Sequence, residues 1–442
     1  MKINKFVLKQ ISDIKSYGIR ELFRKLHLLI KVLTRIPIDI VAIVPCLLIR
    51  LIRPWIIVRI ARIGAINFGN FVFNPAVYYC KKELKIDQPK IKHIDLVYIH
   101  HKDKNYNKQI EKMWKRKLNF FSSYLLDPIN RVNKLIPGWK AHTIMEILYI
   151  KWDSYIDNLT DKCQPLEFTP EEEISGKKML KKFGLKENDR LVCLAIRDGA
   201  HQLTKISSRF RNWSYHDYRH YDIDNFILAA EKLAERGYYI FRMGTVANKR
   251  FNSKNPKIID YVNSNLRNDF LDVYLGAKCS FCISSGLGFD EVPNVFRRPI
   301  ALLNHPLGGT TVSREKTLLL WKHHILKREK RRLSLSEIFS HGVAYAFDTK
   351  TFEEKGIELI DNTPEEIRDL VIEMAENLEF EKQLNSKDEE LQKIFRSLFA
   401  SNIKRFDSHI RVNKSYYDYH SNGLVKARFS TKFLRENKNW LR

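Results

Sequence analysis

At 442 residues the chain exceeds one ordinary core and suits two domains of about 150 to 200 residues with added elements. Its 44% hydrophobic and 12% aromatic content, with only 17 Gly and 14 Pro, excludes a disordered or low-complexity chain, and six cysteines spread over this length exclude a disulfide scaffold. A net charge of +26 points to anionic partners: nucleic acid, acidic lipid or phosphorylated substrates.

The charge gathers at the two ends. Residues 1–60 carry 12 Lys/Arg against 3 Asp/Glu, and residues 401–442 carry 10 against 3. The first end also holds IPIDIVAIVPCLLIRLIRP, residues 36–54, whose uninterrupted apolar core, Ile40 to Ile49, is ten residues long and contains Pro45. That core falls short of the roughly 20 residues needed to span a bilayer, and its Arg50 and Arg53 suit an anionic leaflet. The segment 1–53 is therefore expected to associate with an anionic membrane surface, from the cytoplasmic side at the inner face of the cell membrane; a buried helical hairpin on the first domain is the competing reading.

From residue 54 the pattern predicts a strand, a loop with Gly64 and Gly69, and a helix to about Leu84. HIDLVYIHH (93–101) predicts a second strand, and NKQIEKMWKRKL (107–118) a charged helix. Thr169-Pro170-Glu171-Glu172 predicts a helix start, with Thr as cap, Pro in the first turn and a glutamate reaching back. The strand–helix rhythm restarts near 185: RLVCLAIRD (190–198), a helix over 224–237, YYIFRMG (238–244), a helix from Asp269, SFCISS, a loop, a short helix and PIALLN. A second TPEE box at Thr363 to Glu366 opens a long helix to about Leu378. The expected class is α/β: two doubly wound Rossmann-like domains, 54–184 as acceptor domain and 185–378 as donor domain, preceded by the basic, partly apolar helical segment 1–53 and followed by a basic helical extension, 379–442.

In doubly wound sheets ligands bind outside the carboxyl ends of the strands, where the next helix offers unpaired N–H groups and a positive dipole end. Three such ends coincide here. SSGLG brings Ser284, Ser285, Gly286 and Gly288, whose hydroxyls and open backbone suit a diphosphate; RLVCLAIRD delivers Arg197 and Asp198; YYIFRMG delivers Arg242 and Gly244. Trp213, Tyr215, His216 and Arg219 form an aromatic–basic cluster that can border the cleft and stack on a base or sugar, or else pack a surface loop. Asp198 and Asp290 are the candidates for sugar or acid–base contacts, and Arg267 with Asp269 forms a candidate ion pair that can equally serve function or fold. Asp222-Ile-Asp224 spells the DxD of metal-dependent transferases, but it directly precedes a helix, where an aspartate caps. No metal and no cofactor is expected. No nucleic-acid-binding motif occurs, so nucleic acid is not an expected partner.

The stretch from Leu191 to Asn304, through IRDGA, NWSYHDYRHYDID, RGYYIFRMG, NPKIIDY, LRNDFLDVYLGAKCSFCISSGLGFD and FRRPI, resembles a bacterial family of glycosyltransferases of surface-polysaccharide gene clusters; FSTKFLRENKNWL resembles that family's closing helix. The region also resembles the donor half of GT-B glycosyltransferases, including heptosyltransferases, and Arg197 resembles the fucosyltransferase arginine that contacts the donor diphosphate. The resemblance implies a GT-B-like enzyme moving a sugar from a nucleotide-diphosphate sugar to a glycan or lipid-linked glycan acceptor, without a metal. This sequence departs from it at Ser284, where heptosyltransferases carry an acid, and in the first loop, where Gly69-Asn70 or Gly64-Ala65 replaces a Gly-His pair. A nucleotide-sugar epimerase or hydrolase on the same fold, and a non-catalytic membrane-associated assembly protein, are the alternatives.

Overall fold

The computed structural model describes residues 33–148, 162–198, 218–307, 314–344, 348–381, 384–407 and 425–442, with the isolated positions 19, 23, 25–27, 30, 159 and 346. In chain order the first elements are α1 (Ile36–Leu51), β1 (Ile57–Arg62), α2 (Phe68–Glu83), β2 (His93–Tyr98), α3 (Lys108–Lys115), α4 (Ser123–Leu135) and α5 (Pro170–Lys182). They are followed by β3 (Arg190–Ala195), α6 (Ile227–Glu235), β4 (Tyr238–Arg242), β5 (Ile258–Ile259), α7 (Asp269–Lys278), β6 (Phe281–Ser284), α8 (Glu291–Val295), β7 (Ile300–His305) and β8 (Thr317–Trp321). The last are β9 (His323–Leu326), β10 (Arg331–Arg332), α9 (Leu335–Ser340), α10 (Thr349–Glu354), β11 (Ile357–Ile360), α11 (Pro364–Glu379), α12 (Ser386–Asp407), β12 (Arg428–Phe429) and α13 (Thr431–Glu436).

Two compact units result: Met1–Ile63, Pro89–Asp103 and Leu118–Leu148 form the first, and Gly64–Gln88, Lys104–Lys117 and Tyr149–Arg442 the second. The first holds β1 and β2 as a parallel pair, widened by single bridges from Ile60 to Thr143 and from Val97 to Phe120. Its core gathers Val58, Ile60, Tyr98, Leu126, Ile129 and Val132 around Ala42 and Cys46 of α1. Inside it Arg59 is buried against Asp95, with Nε 2.6 Å from Oδ1, a paired charge that a low-dielectric site requires.

The second unit holds a small antiparallel sheet, β10-β9-β11, and a seven-stranded parallel sheet in the order β12-β8-β7-β6-β3-β4-β5. The strands are buried on both faces and read as apolar runs for that reason, LVCL and IALL among them. The chain lays down β3, β4 and β5 in one direction, returns to place β6 beside β3, and continues through β7 and β8 in the other. Strand order therefore reverses between β3 and β6, and the carboxyl ends of strands at such a reversal are where doubly wound sheets bind ligands. The α/β doubly wound class expected from the sequence is what the chain forms.

Both TPEE boxes act as expected: Thr169 accepts from Glu172 N while Glu172 reaches back, and Thr363 and Glu366 repeat the exchange at α11. The C-terminal segment is not only helical. Arg428–Phe429 adds an edge strand to β8, and Phe429 packs at 5.0 Å from Trp321 and 4.8 Å from Trp440, so the chain end completes the main core.

Candidate functional site at the sheet's switch point

The loop after β6 is built tightly. Gly286 sits at φ +79°, a left-handed position that glycine adopts without strain, and the His305 ring closes the space a side chain would need: a Cβ there meets its Cδ2 at 2.2 Å. Gly288 serves an approach from outside the loop. A Cβ on it meets the Gly69 backbone N at 2.9 Å, and one on Gly69 meets Gly288 Cα at 2.8 Å, so the first turn of α2 and the loop pass backbone to backbone. Phe68 and Phe289 stack beside this crossing, 6.5 Å apart. Gly69, expected in a loop, is the second residue of α2.

Ser284 and Ser285 are fully buried, and their hydroxyls are used within the fold. Ser284 Oγ donates to Asp290 Oδ1 at 2.5 Å and accepts from Gly286 N at 2.9 Å; Ser285 Oγ accepts from Arg197 N at 3.0 Å. Their hydrogen bonds shape the loop, a different use from the direct phosphate contact the sequence suggests. Asp290 receives Ser284 through one oxygen and Leu287 N (3.0 Å) through the other. Burial pushes its carboxyl up to about 7, against these two hydrogen bonds, which favour the charged form.

Arg197 and Arg219 come together at this loop. Arg197 follows β3 directly, held by its own N–H on Ser285 and by its carbonyl, which accepts from Tyr221 N at 3.1 Å. Arg219 Nη2 donates to Gly286 O at 2.5 Å. Trp213, Tyr215 and His216, expected in the same cluster, lie outside the described residues.

The β4 end is organised differently. Arg242 is 3% exposed; its guanidinium donates to the Lys249 carbonyl and lies 3.5 Å from both Asp198 and Asp260. Asp198 Oδ2 also accepts from Asn248 N at 2.8 Å, and Gly244, at φ +154°, gives its carbonyl to Arg267 Nε at 2.8 Å. Arg242 and Asp198 thus tie down the loop after β4. Asp222 caps the turn before α6 by accepting from Asp224 N at 3.0 Å, and both carboxylates hold Lys249; the capping bond and then Lys249 keep Asp222 below the usual carboxylate range. Arg267 pairs with Asp272 at 2.8 Å and not with Asp269, whose Oδ2 receives Lys108 N.

Three groups at this edge escaped the sequence reading: His305, Tyr221 and Lys322. Lys322 follows β8, is buried, bonds Asp361 at 2.6 Å and lies 4.4 Å from the centre of the Tyr221 ring. The Tyr221 hydroxyl is buried without a hydrogen-bond partner among the described residues. His305 Nδ1 donates to the Pro306 carbonyl at 2.6 Å. Burial first, then Arg219, then Lys322 and Arg197, push the imidazole down to about 3, so it is neutral at physiological pH. The signal was there: two apolar strands, IALLN and TLLLW, each end in a polar or basic residue on the carboxyl side.

No protein-family model and no curated protein matches the chain. Solved structures do. A glycosyl transferase family 9 protein from Veillonella parvula aligns over 73% of this chain and 97% of its own at 12% identity, with a TM-score of 0.40. The ADP-heptose lps heptosyltransferase II of E. coli aligns over 73% and 99% at 13% identity, with a TM-score of 0.39. Likenesses this distant transfer neither a reaction nor a residue.

Proposed function

We propose that the protein is a GT-B-like glycosyltransferase that binds a nucleotide-diphosphate sugar at the switch point and passes the sugar to a glycan acceptor. We assign the acceptor to a lipid-linked intermediate of bacterial surface-polysaccharide synthesis, met by the enzyme as a peripheral protein at the inner face of the cell membrane. The observation that carries the donor reading is the meeting of Arg197 and Arg219 at the loop Ser284 to Gly288, on the sheet edge where the strand order reverses. A diphosphate brings two or more negative charges, and transfer adds charge to the leaving group; fixed cations in a partly dry crevice stabilise both without reorganising. On this reading Arg197 and Arg219 grip the diphosphate. Arg242, Asp198 and Asp290 are positioning residues that hold the two loops.

Nucleotide binding tests this directly. Titration calorimetry with ADP, UDP and GDP is expected to find one that binds, and Arg197→Ala and Arg219→Ala should each weaken it at least tenfold, since a charge-assisted hydrogen bond is worth about 1.5 to 3 kcal/mol. Melting temperatures should stay close to wild type for Arg197→Ala. Equal affinity in all three proteins removes the arginines from the site, and donor consumption without any acceptor moves the assignment to an epimerase or hydrolase. Turnover is expected to survive EDTA, because Asp222 and Asp224 are occupied as cap and lysine partners; loss with EDTA and recovery with manganese would reverse the metal-free assignment.

A further inference from the structure

The helix α1 is attached to its unit by one face and leaves the other bare. Ala42 and Cys46 are its buried residues. On the same face Asp39 receives Arg131 of α4, with Nη2 to Oδ1 at 2.5 Å, and Arg50 donates to Asn133 Oδ1 at 2.7 Å and to the Pro137 carbonyl at 3.0 Å. The opposite face carries Ile40, Val41, Val44, Leu47, Leu48 and Leu51, each between 53% and 72% exposed. Before it, Ile19, Phe23, Leu26, Ile30 and Leu33 are exposed as well. Soluble chains seldom leave an apolar surface of this extent in water.

We infer that this surface is a membrane-docking face that enters the headgroup boundary of a bilayer rich in anionic lipid, with α1 lying in the membrane plane. The inference builds on the membrane part of the reading above and names the residues that make the contact. Two observations choose a bilayer over a second copy of the chain. Residues 1–60 carry 12 basic against 3 acidic residues, and one of those acids, Asp39, is already paired; a second copy would bring like charge against like, whereas an anionic leaflet neutralises it. Exposed Arg53 and Trp55 follow the apolar face directly, a basic and an amphipathic aromatic side chain where the headgroups would lie. The polar pins on the other face fix the orientation: a helix spanning the bilayer would have to break Asp39–Arg131 and Arg50–Asn133, and no helix of the described residues is long and apolar enough to cross. The contact is then a rigid platform on the β1–β2 unit and not a loose tether.

Flotation of the full chain decides it, with vesicles of phosphatidylcholine alone or with one third phosphatidylglycerol. Expected are binding to the anionic vesicles, several-fold weaker binding at high salt, and at least a tenfold loss in the double variant Val44→Glu, Leu48→Glu, whose sites are exposed and leave the core intact. Wild-type protein that does not float, or a variant that floats as well as wild type, overturns the inference. So does light scattering that finds a wild-type dimer and a variant monomer, which would give the face to a second copy. Nucleotide affinity measured without vesicles is expected to be equal in wild type and variant, and it separates the two readings: flotation without nucleotide binding keeps the platform and rejects the transferase, and the reverse result rejects the platform alone.

Discussion

Replacing Gly69 by alanine should cost about 2 to 3 kcal/mol, although alanine is the better helix former. The sign is set by what the new methyl meets: Gly288 Cα at 2.8 Å and Gly288 O at 3.1 Å, both backbone, so no side chain can swing aside. Gly288→Ala collides with the same crossing from the other side, at the Gly69 N. Either change must push α2 and the loop apart, and the loop carries the Gly286 carbonyl on which Arg219 rests. Nucleotide affinity should therefore fall together with stability. The double variant is expected to be worse than either single one but by less than their sum, since both methyls open the same gap. Chemical denaturation of the three proteins checks this; a Gly69→Ala protein as stable as wild type refutes the crossing.

Asp290 should make the protein less stable as pH rises from about 4 to 7. Its carboxyl ionises near 3.9 when unfolded and is pushed up to about 7 in the fold, so across that window the folded state holds the extra proton and stability falls with pH. The contribution is of order 4 kcal/mol over the window and flat above it. Between pH 5 and pH 8 the advantage of wild type over Asp290→Asn is expected to shrink by about 3 kcal/mol, read from urea denaturation at each pH. Asp272, raised to about 6 by burial, slopes the same way in both proteins and cancels in the comparison. An advantage that does not change with pH shows that the two hydrogen bonds into Asp290 outweigh its burial.

The second half of the chain was legible because buried parallel strands leave apolar runs bounded by glycine and charge: RLVCLA, YYIFR, FCIS and IALLN are strands where expected. The placing of Arg197 and the 284–288 loop just after strands was legible by the same logic, since a strand's carboxyl end is visible in sequence. What a side chain does there was not. Ser284 and Ser285 look free in a turn, and only the packing of Asp290 and Arg197 uses up their hydroxyls. Arg242 and Lys322 show the converse: two basic residues just past or at strand ends, one tied into its own loop, the other brought beside Tyr221 by a neighbouring strand. Strand β12 lies more than a hundred residues beyond β8, and two residues carry too little pattern to announce a pairing at that distance. The stretch 36–54 is apolar in sequence, but which of its sides faces the fold is not visible there; Asp39 and Arg50, which mark that side, find their partners near residue 132.

The interleaving of the two units along the chain bears on how the molecule is made. The first unit is assembled from three separate pieces, and the chain passes between the units at residues 63, 88, 103, 117 and 148. As the polypeptide leaves the ribosome, β1 and α1 must wait for β2 and then for α4 before their shared core can close. The second unit begins with two short pieces that carry α2 and α3, whose partners, Gly288 among them, are translated some two hundred residues later. Early synthesis therefore exposes Phe71, Trp114 and their neighbours without a core to enter, and slow closure of such distant contacts makes this the period in which the nascent chain is most open to chaperones and to aggregation. For the same reason neither unit can be excised as a single fragment, and one proteolytic cut in a connecting segment should leave the pieces associated.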